Sequence, residues 1–394
     1  MNKIYLKSGK EGSLLRFHPW VFSGAISHIE GTPDEGELVD IYTSKREFIA
    51  KGHYQIGSIA VRVLSFKQEE QIDQDFWVRK LTAAYQMRQS IGIVGYPGNN
   101  TYRLVHGEGD NLPGLVIDIY DQTAVMQAHS VGIHLCRKQI AEALMDVMNG
   151  KIKNIYYKSE TTLPFKADLG AENGFLIGGS QDNIALEYGL KFHIDWAKGQ
   201  KTGFFVDQRE NRALLERYAR GKDVLNMFCY TGGFSVYAMR GGAHTVHSVD
   251  SSAKAIQLTD QNIRLNFPED TRHTSFAEDA FKFLDQMKEG AYDLIILDPP
   301  AFAKHRDALR NALQGYRKIN AKAMEKIRPG GILFTFSCSQ AVNKENFRTS
   351  VFTAAAMTGR SVRILHQLTQ PADHPVNIYH PEGEYLKGLV LYVE

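Results

Sequence analysis

Apolar and polar positions change rhythm twice along the 394-residue chain. Up to about residue 70 the apolar residues come in short runs: Ile4–Leu6, Glu37–Tyr42, Phe48–Tyr54 and Ile59–Leu64. Each is rich in β-formers and bounded by Gly, Ser, Pro or charged turns, which predicts a small β-barrel or sandwich over residues 1–70. From 72 to 190 the periods mix. Phe76–Ile91 sets Leu81, Ala84, Tyr85 and Met87 on a helical repeat, and Val131–Met148 reads as one amphipathic helix. Leu115–Tyr120 and Thr123–Ala128 flank Asp121-Gln122 as a hairpin, and Ile155–Tyr157, Ile184–Tyr188 and Leu190–Ile194 add strands. A central α+β domain is expected there. Its Arg103–Gly114 stretch, RLVHGEGDNLPG, reads as a polar loop able to meet a substrate. His106, Glu108 and Asp110 read as turn residues within it, not metal ligands, and no metal site is expected.

From 196 to 394 buried-type strands alternate with helices. Apolar runs stand at Val224–Phe228, His244–Val249, Tyr292–Leu297 and Ile332–Phe336, with a further segment at Thr274–Met287. Helices are expected at Phe234–Arg240, Ser252–Leu265 and Lys318–Ile327, and closing strands near Arg360–Leu368 and Tyr385–Val393. Asp207 and Glu210 have N-cap and N3 spacing for a helix that Gly221 closes. The result is a multidomain α/β chain whose last part is a Rossmann-like, seven-stranded sheet.

The centre of that part is Lys222–Asp250, KDVLNMFCYTGGFSVYAMRGGAHTVHSVD. A strand, a Cys229–Gly233 turn, a helix and a second strand ending in Asp250 form a β-α-β unit of the nucleotide-binding kind. Gly232-Gly233 let backbone approach a ligand, and Asp250 is placed to accept hydrogen bonds from ribose hydroxyls. The pattern is neither G-x-G-x-x-G nor a triphosphate loop. A looser turn suits a ligand without pyrophosphate, which points to S-adenosylmethionine. Asp279, after the third strand, is placed for an adenine amino group.

Two further features fall beyond strand ends, where ligands gather in an open parallel sheet. They are Asp298-Pro299-Pro300 and Ser337-Cys338-Ser339. C5 of a pyrimidine is too weak a nucleophile to take a methyl group unaided. A thiolate adding to C6 makes C5 enamine-like, which is covalent catalysis, and Asp298 would hydrogen-bond N3 or help protonate it. An ordinary thiol, of pKa about 8.5, is only a few per cent thiolate at neutral pH. A positive group near Cys338 is therefore expected, and the sequence does not name it.

Composition narrows the setting without choosing a substrate. Hydrophobic content of 43% and charged content of 23% are those of a folded globular protein, and a net charge of +2 confines any nucleic-acid surface to a local patch. The opening stretch offers one: Lys3, Lys7, Lys10 and Arg16 against Glu11, followed by His18, Trp20 and Phe22. Cations meet phosphates and aromatic faces stack on unpaired bases. The same residues also suit a solvated face over a barrel core. Three cysteines without C-x-x-C exclude a disulfide framework and fit a cytoplasmic location. No apolar run is long enough to span a bilayer, so no membrane partner is expected.

Six stretches together carry a family resemblance: His18–Ile26 (HPWVFSGAI), His106–Asp118, Lys201–Arg212 (KTGFFVDQRENR), Leu225–Val236, Leu297–Lys304 (LDPPAFAK) and Phe336–Gln340 (FSCSQ). Over its full length the chain resembles the bacterial 23S rRNA cytosine-C5 methyltransferases of the large ribosomal subunit. The resemblance implies an N-terminal PUA domain, a central α+β domain and a methyltransferase domain over 196–394. It implies Cys338 as nucleophile and Asp298 as pocket carboxylate. For S-adenosylmethionine it implies Gln200, Thr202 and Phe205, then Asn226, Phe228 and Thr231 with Gly232, Gly233 and Asp250, then Asp279 and Pro299. It turns Lys3, Lys7, Arg16 and Trp20 toward RNA, either 23S rRNA or a large-subunit assembly intermediate, and leaves a homodimer open.

The chain departs from the wider RNA cytosine-C5 enzymes in one respect. Ala301 follows the prolines where many carry a second cysteine that assists product release. The base that removes the C5 proton is thus unassigned. A related group methylates guanine N7 without a nucleophilic cysteine, so transfer to N7 or to an exocyclic amine is the alternative chemistry. A non-catalytic RNA-binding or ribosome assembly factor is the alternative from outside enzymes.

Overall fold

The structure is a computed structural model that describes residues 2–164, 169–170, 172–180, 182–302 and 308–394. The end of the LDPPAFAK stretch, Ala303-Lys304, lies outside them. The chain forms two compact units: residues 1–189, 194–206 and 372–383 make the first, and residues 190–193, 207–371 and 384–394 the second.

In the first unit a six-stranded sheet runs in the order Trp20–Phe22, Ile59–Ser65, Phe48–Tyr54, Leu38–Tyr42, Asn2–Leu6, Ile26–Glu30. Its two edge strands are neighbours in sequence, joined by the single 3-10 turn Ser23–Ala25. The sheet must therefore curl until its edges approach, as in a small barrel. Ile4, Leu6, Val21, Ile41, Val61 and Val63 fill the inside.

A five-stranded sheet follows, ordered Gly174–Ile177, Asn154–Tyr157, Thr123–Ala128, Leu115–Tyr120, Thr101–His106. Helices Gln74–Ser90 and Arg137–Met148 bury Phe76, Trp77, Leu81, Ile140 and Leu144 in its core. Asp73 caps the first helix by accepting from the Phe76 N–H at 3.0 Å.

Two expectations change here. The stretch expected as one polar loop opens inside strand Thr101–His106 and continues as a 3-10 turn, Gly107–Asp110. Tyr102, Leu104 and Val105 are buried, so the polar letters around them concealed a core strand. The helix expected over Val131–Met148 is two helices, Val131–Leu135 and Arg137–Met148. At the junction Cys136 has ψ 0, flatter than a helical turn, and Leu135 points outward, 54% exposed.

Asp110 is structural. It pairs through both oxygens with the guanidinium of Arg88, which is 0% exposed, and accepts from the His106 N–H at 2.6 Å. Breaking a buried pair strands the surviving charge, typically at a cost of about 3–5 kcal/mol. Asp110→Ala is therefore expected to destabilise the protein by about that amount, read as a lowered urea midpoint, and Arg88→Met, which strands the buried Asp110 carboxylate instead, should cost a similar amount.

The second unit holds a seven-stranded sheet: β1 Asp223–Met227, β2 Thr245–Asp250, β3 His273–Ala277, β4 Leu294–Leu297, β5 Gly331–Ser337, β6 Val362–Leu368 and β7 Lys387–Val393. The order is β3-β2-β1-β4-β5-β7-β6. β1 to β5 are parallel, and β7 inserts antiparallel between β5 and β6. Helices α1 Arg209–Tyr218, α2 Gly233–Arg240, α3 Ala253–Asn266, α4 Ala280–Gln286, α5 Leu309–Lys326 and α6 Lys344–Thr358 link and cover the strands.

Leu225, Met227, Ile295, Leu297, Leu333 and Leu391 share one core with Leu284 of α4, Tyr316 and Ile319 of α5 and Phe347 of α6. The period of two along each strand assigns them to one face. Asp207 is not the helix cap its spacing suggests. A 3-10 turn, Val206–Gln208, delays α1 to Arg209, and the Asp207 carboxylate instead accepts from the Tyr385 hydroxyl at 2.7 Å. Among the described residues no helix is long and apolar enough to cross a membrane.

Candidate active site

Parallel pairing fixes where the second unit's chemistry collects. Met227 pairs with Leu297, and Leu297 with Thr335, so β1, β4 and β5 end along one edge. Asp298 follows β4 directly, and Cys338 follows β5; both are half-buried. The β1 loop and the end of β2 open on the same edge.

The β1 loop is strained. Phe228, Tyr230 and Gly232 all have positive φ (59°, 48° and 73°), and two of them are not glycine. Such backbone persists only where its surroundings enforce it, and it concentrates at functional sites. The glycine pair serves packing: a Cβ on Gly232 would stand 2.6 Å from Thr259 Cγ2, and one on Gly233 3.0 Å from Arg212 Cδ. Thr231 is buried, and its carbonyl accepts from Asn262 Nδ2 at 2.8 Å.

Asp250 is pre-oriented, with Oδ2 accepting from the Tyr230 N–H (3.1 Å) and Oδ1 from the Ser252 N–H (2.9 Å). Each oxygen keeps a lone pair for a further donor. Asn226 gives Nδ2 to Ser235 Oγ at 2.9 Å, and its buried Oδ1 has no hydrogen-bond partner among the described residues. These are open acceptors, which fits a ligand bearing hydroxyls and an ammonium group, as S-adenosylmethionine does. Asp279 caps α4, accepting from the Lys282 N–H at 3.0 Å. Pro299 is buried.

Around Asp298 and Cys338 the chain sets polar groups that the sequence reading largely missed. Gln208 Nε2 donates to Asp298 Oδ2 at 3.0 Å, and Asn211 Nδ2 donates to Gln208 Oε1 at 2.6 Å, fixing that amide's orientation. Gln208 and Asn211 are 3% and 4% exposed. Tyr316, fully buried on α5, accepts from Ser337 Oγ at 2.9 Å. Burial pushes its phenol up to about 12, with the Cys338 and Asp298 charges adding to the rise and the Ser337 hydrogen bond opposing it. The one phenol thus senses both candidate groups.

Lys387 opens β7 opposite Ser337, is 5% exposed, and donates from Nζ to the Ser339 carbonyl at 2.6 Å. Burial pulls its ammonium down to about 8, against the attraction of Cys338. The other two cysteines differ. Burial raises Cys229 to about 12 and Cys136 to about 11.

Gln200, Thr202 and Phe205 belong to the first unit. Thr202 there donates to Asp118 Oδ2 (2.7 Å) and bonds the Tyr120 hydroxyl (2.9 Å), while Gln200 is exposed and Phe205 half-buried. Lys3 lies over the Tyr42 ring at 5.7 Å, Lys7 donates to the Gly24 carbonyl at 2.9 Å, and Arg16 is exposed. Trp20 is inward-facing: Nε1 donates to Glu108 at 2.8 Å, and the ring lies 4.3 Å from that of His380. The exposed rings nearby are Phe17 and Phe22 (49% and 44%). Spacing in the sequence could not separate these from Trp20, because Glu108 and His380 are far away in the chain.

With the geometry in place, comparison with known proteins assigns the class. Residues 176–381 match the model of the S-adenosylmethionine-dependent methyltransferases, and residues 4–66 match a PUA-like domain. S-adenosylmethionine is the cofactor. Two similar proteins, both named ribosomal RNA large subunit methyltransferase I, come from Tolumonas auensis and Aeromonas hydrophila. They are 42% and 41% identical, over 98% of this chain and 98% of theirs. The chain belongs to the ribosomal RNA large subunit methyltransferase I family. SMU.776, solved complexed with SAH, shares the fold over 100% of both chains at TM-score 0.85, with 22% identity.

Gly232→Ala tests whether the strained loop depends on its glycine. Positive φ and the clash with Thr259 predict destabilisation of roughly 1–3 kcal/mol, measured by urea denaturation. Gly57→Ala, also at positive φ (151°) but with nothing within 4 Å of the added Cβ, should cost less.

Proposed function

We propose that this chain methylates C5 of a cytosine in 23S rRNA, through a covalent adduct on Cys338. It would act in the cytoplasm, on the RNA itself or on a large-subunit assembly intermediate. The observation that carries the reading is Cys338 beyond β5 beside Asp298 beyond β4, two groups that share the neighbour Tyr316. The names of the relatives support rRNA as the substrate.

S-adenosylmethionine supplies an electrophilic methyl group. The protein must make C5 nucleophilic, so the target base is flipped from its stack. The Cys338 thiolate forms a bond to C6, and the C5=C6 pair becomes available at C5. Asp298, held by Gln208 through Oδ2, would as the protonated acid donate its proton to N3 as the thiolate adds, so that N3 takes up the charge pushed into the ring. After transfer the C5 proton leaves to a base, its bond electrons restore C5=C6, and the S–C6 bond breaks to release the thiolate. No cysteine follows Pro299-Pro300, so that base is not a thiol at that position.

Asp250 would accept from the ribose hydroxyls, Asn226 Oδ1 from the ammonium, and Asp279 from the adenine amino group. Phe228, Thr231, Gly232, Gly233 and Pro299 would shape the rest, and Gln200, Thr202 and Phe205 are proposed as further cofactor contacts. Lys3, Lys7 and Arg16 would meet phosphates, with Phe17 and Phe22 offering the faces assigned to Trp20 by sequence. The domain limits 1–70, 72–190 and 196–394 are proposed as functional divisions only, since residues 194–206 and 372–383 pack in the first compact unit.

Replacing cytidine by 5-fluorocytidine in a 23S transcript should trap the adduct, because fluorine cannot leave C5 as a cation. A methylated protein–RNA band on a denaturing gel is expected with the wild type and not with Cys338→Ala. No band, on RNA that accepts methyl groups when unfluorinated, overturns the Cys338 mechanism and favours guanine N7 or an exocyclic amine. For the cofactor, Asp250→Ala removes acceptors worth about 1.5–3 kcal/mol. Calorimetry should show S-adenosylmethionine bound at least about tenfold more weakly.

A further inference from the structure

A lysine buried at the first position of an otherwise apolar strand needs a reason. β7 reads KGLVLYV, and Lys387 is its one charged residue. Burying an ammonium is costly unless it is paired, yet among the described residues Lys387 forms no ion pair with a carboxylate. Its side-chain hydrogen bond among the described residues, at 2.6 Å, goes to a neutral carbonyl, that of Ser339. Burial alone should then favour the neutral amine.

The position of the side chain supplies the reason. Lys387 starts opposite Ser337 across the β5–β7 pair, and its Nζ ends at Ser339. The residue between those two is Cys338. An ammonium has three N–H donors, one of which is committed to Ser339. The other charged and titratable groups around it are few. Lys344 and Glu384 neutralise each other at 2.8 Å, while Tyr316 senses the charges of both Cys338 and Asp298. The unbalanced positive charge interacts with Cys338.

We propose that Lys387 is a positioning residue whose ammonium keeps Cys338 as a thiolate and receives the same thiolate again when the adduct breaks. The inference rests on the reading of Cys338 as nucleophile. The thiol proton leaves to water; Lys387 already carries its own proton and takes none. One charge serves both ends of the reaction, because a sulfur stabilised as an anion is also the better leaving group. Above about pH 8 Lys387 loses its proton and the support fades.

The test reads the thiol directly, without RNA. Iodoacetamide labelling across pH 5.5–10, quantified by peptide mass spectrometry, gives an apparent midpoint for each cysteine in the full-length protein. Wild-type Cys338 is expected at least one unit below the ordinary value of about 8.5. Lys387→Met should return it to 8.5 or higher, and Lys387→Arg, charged at every pH used, should keep it low. The rate at pH 7 should fall only about threefold per unit, because thiolate nucleophilicity rises with pKa, so the midpoint is the quantity to read.

A wild-type midpoint at or above 8.5 overturns the proposal without any variant. An unchanged midpoint in Lys387→Met overturns it as well. Cys229 and Cys136, in the same digest, report whether a variant has opened its core. If Lys387→Met exposes them, the wild-type and Lys387→Arg curves still decide. A low midpoint with no 5-fluorocytidine adduct would leave the ion pair standing and overturn the cytosine mechanism. An adduct with an ordinary midpoint would do the reverse.

Discussion

The site depends on the placement of β4 between β1 and β5. Hydrogen bonding on both sides of Leu294–Leu297 fixes its register twice over. The run is apolar throughout and buried on both faces, so it cannot slip without driving Asp298 into the core. The register carries Asp298 out past the last paired residue, level with the end of β5. No side chain has to reach far, and the backbone ladder does the positioning. Because the β1 loop opens on the same edge, the cofactor end and the reacting end are set by one set of hydrogen bonds.

The antiparallel β5–β7 pair adds what a parallel sheet lacks. In a parallel neighbour, the residue beside the end of β5 would itself be leaving the sheet for a loop. β7 runs the other way, so its first residue, Lys387, stands beside the last of β5, Ser337, where the backbone is well ordered by pairing. A long cationic side chain held there can extend beyond the strand end. Pairing over seven residues, from Gly331↔Val393 to Ser337↔Lys387, supplies the rigidity that a buried lysine would otherwise erode.

Much of this was legible in the sequence, for physical reasons. The central strands β1, β4 and β5 are buried on both faces and read as near-continuous apolar runs. The strand ends of the sheet carry residues, Asp250, Asp298 and Cys338, that belong in no core. Helix α6 was not legible: Phe352 and Met357 are exposed on it (70% and 62%), which blurs the apolar stripe that periodicity needs. Strand Thr101–His106 was hidden by Arg103 and His106. Their partners, Asp118 for the guanidinium (2.7 and 2.8 Å) and Asp110 for the His106 N–H, come from other turns of the chain.

The same distinction explains which part of the chemistry could be read. A candidate nucleophile and a candidate carboxylate announce themselves by type and by the strand they follow, because those relations are local. What tunes them is not local: Gln208 stands 90 residues before Asp298, and Lys387 lies 48 residues beyond the carbonyl it holds. In the sequence Lys387 is one lysine among many at the edge of an apolar run, where a solvated charge is the ordinary reading. Only the antiparallel register makes it a buried cation, and only burial removes the water that would screen its field. Lys387 is thus the buried cation that the proposal sets beside the expectation of a positive group near Cys338.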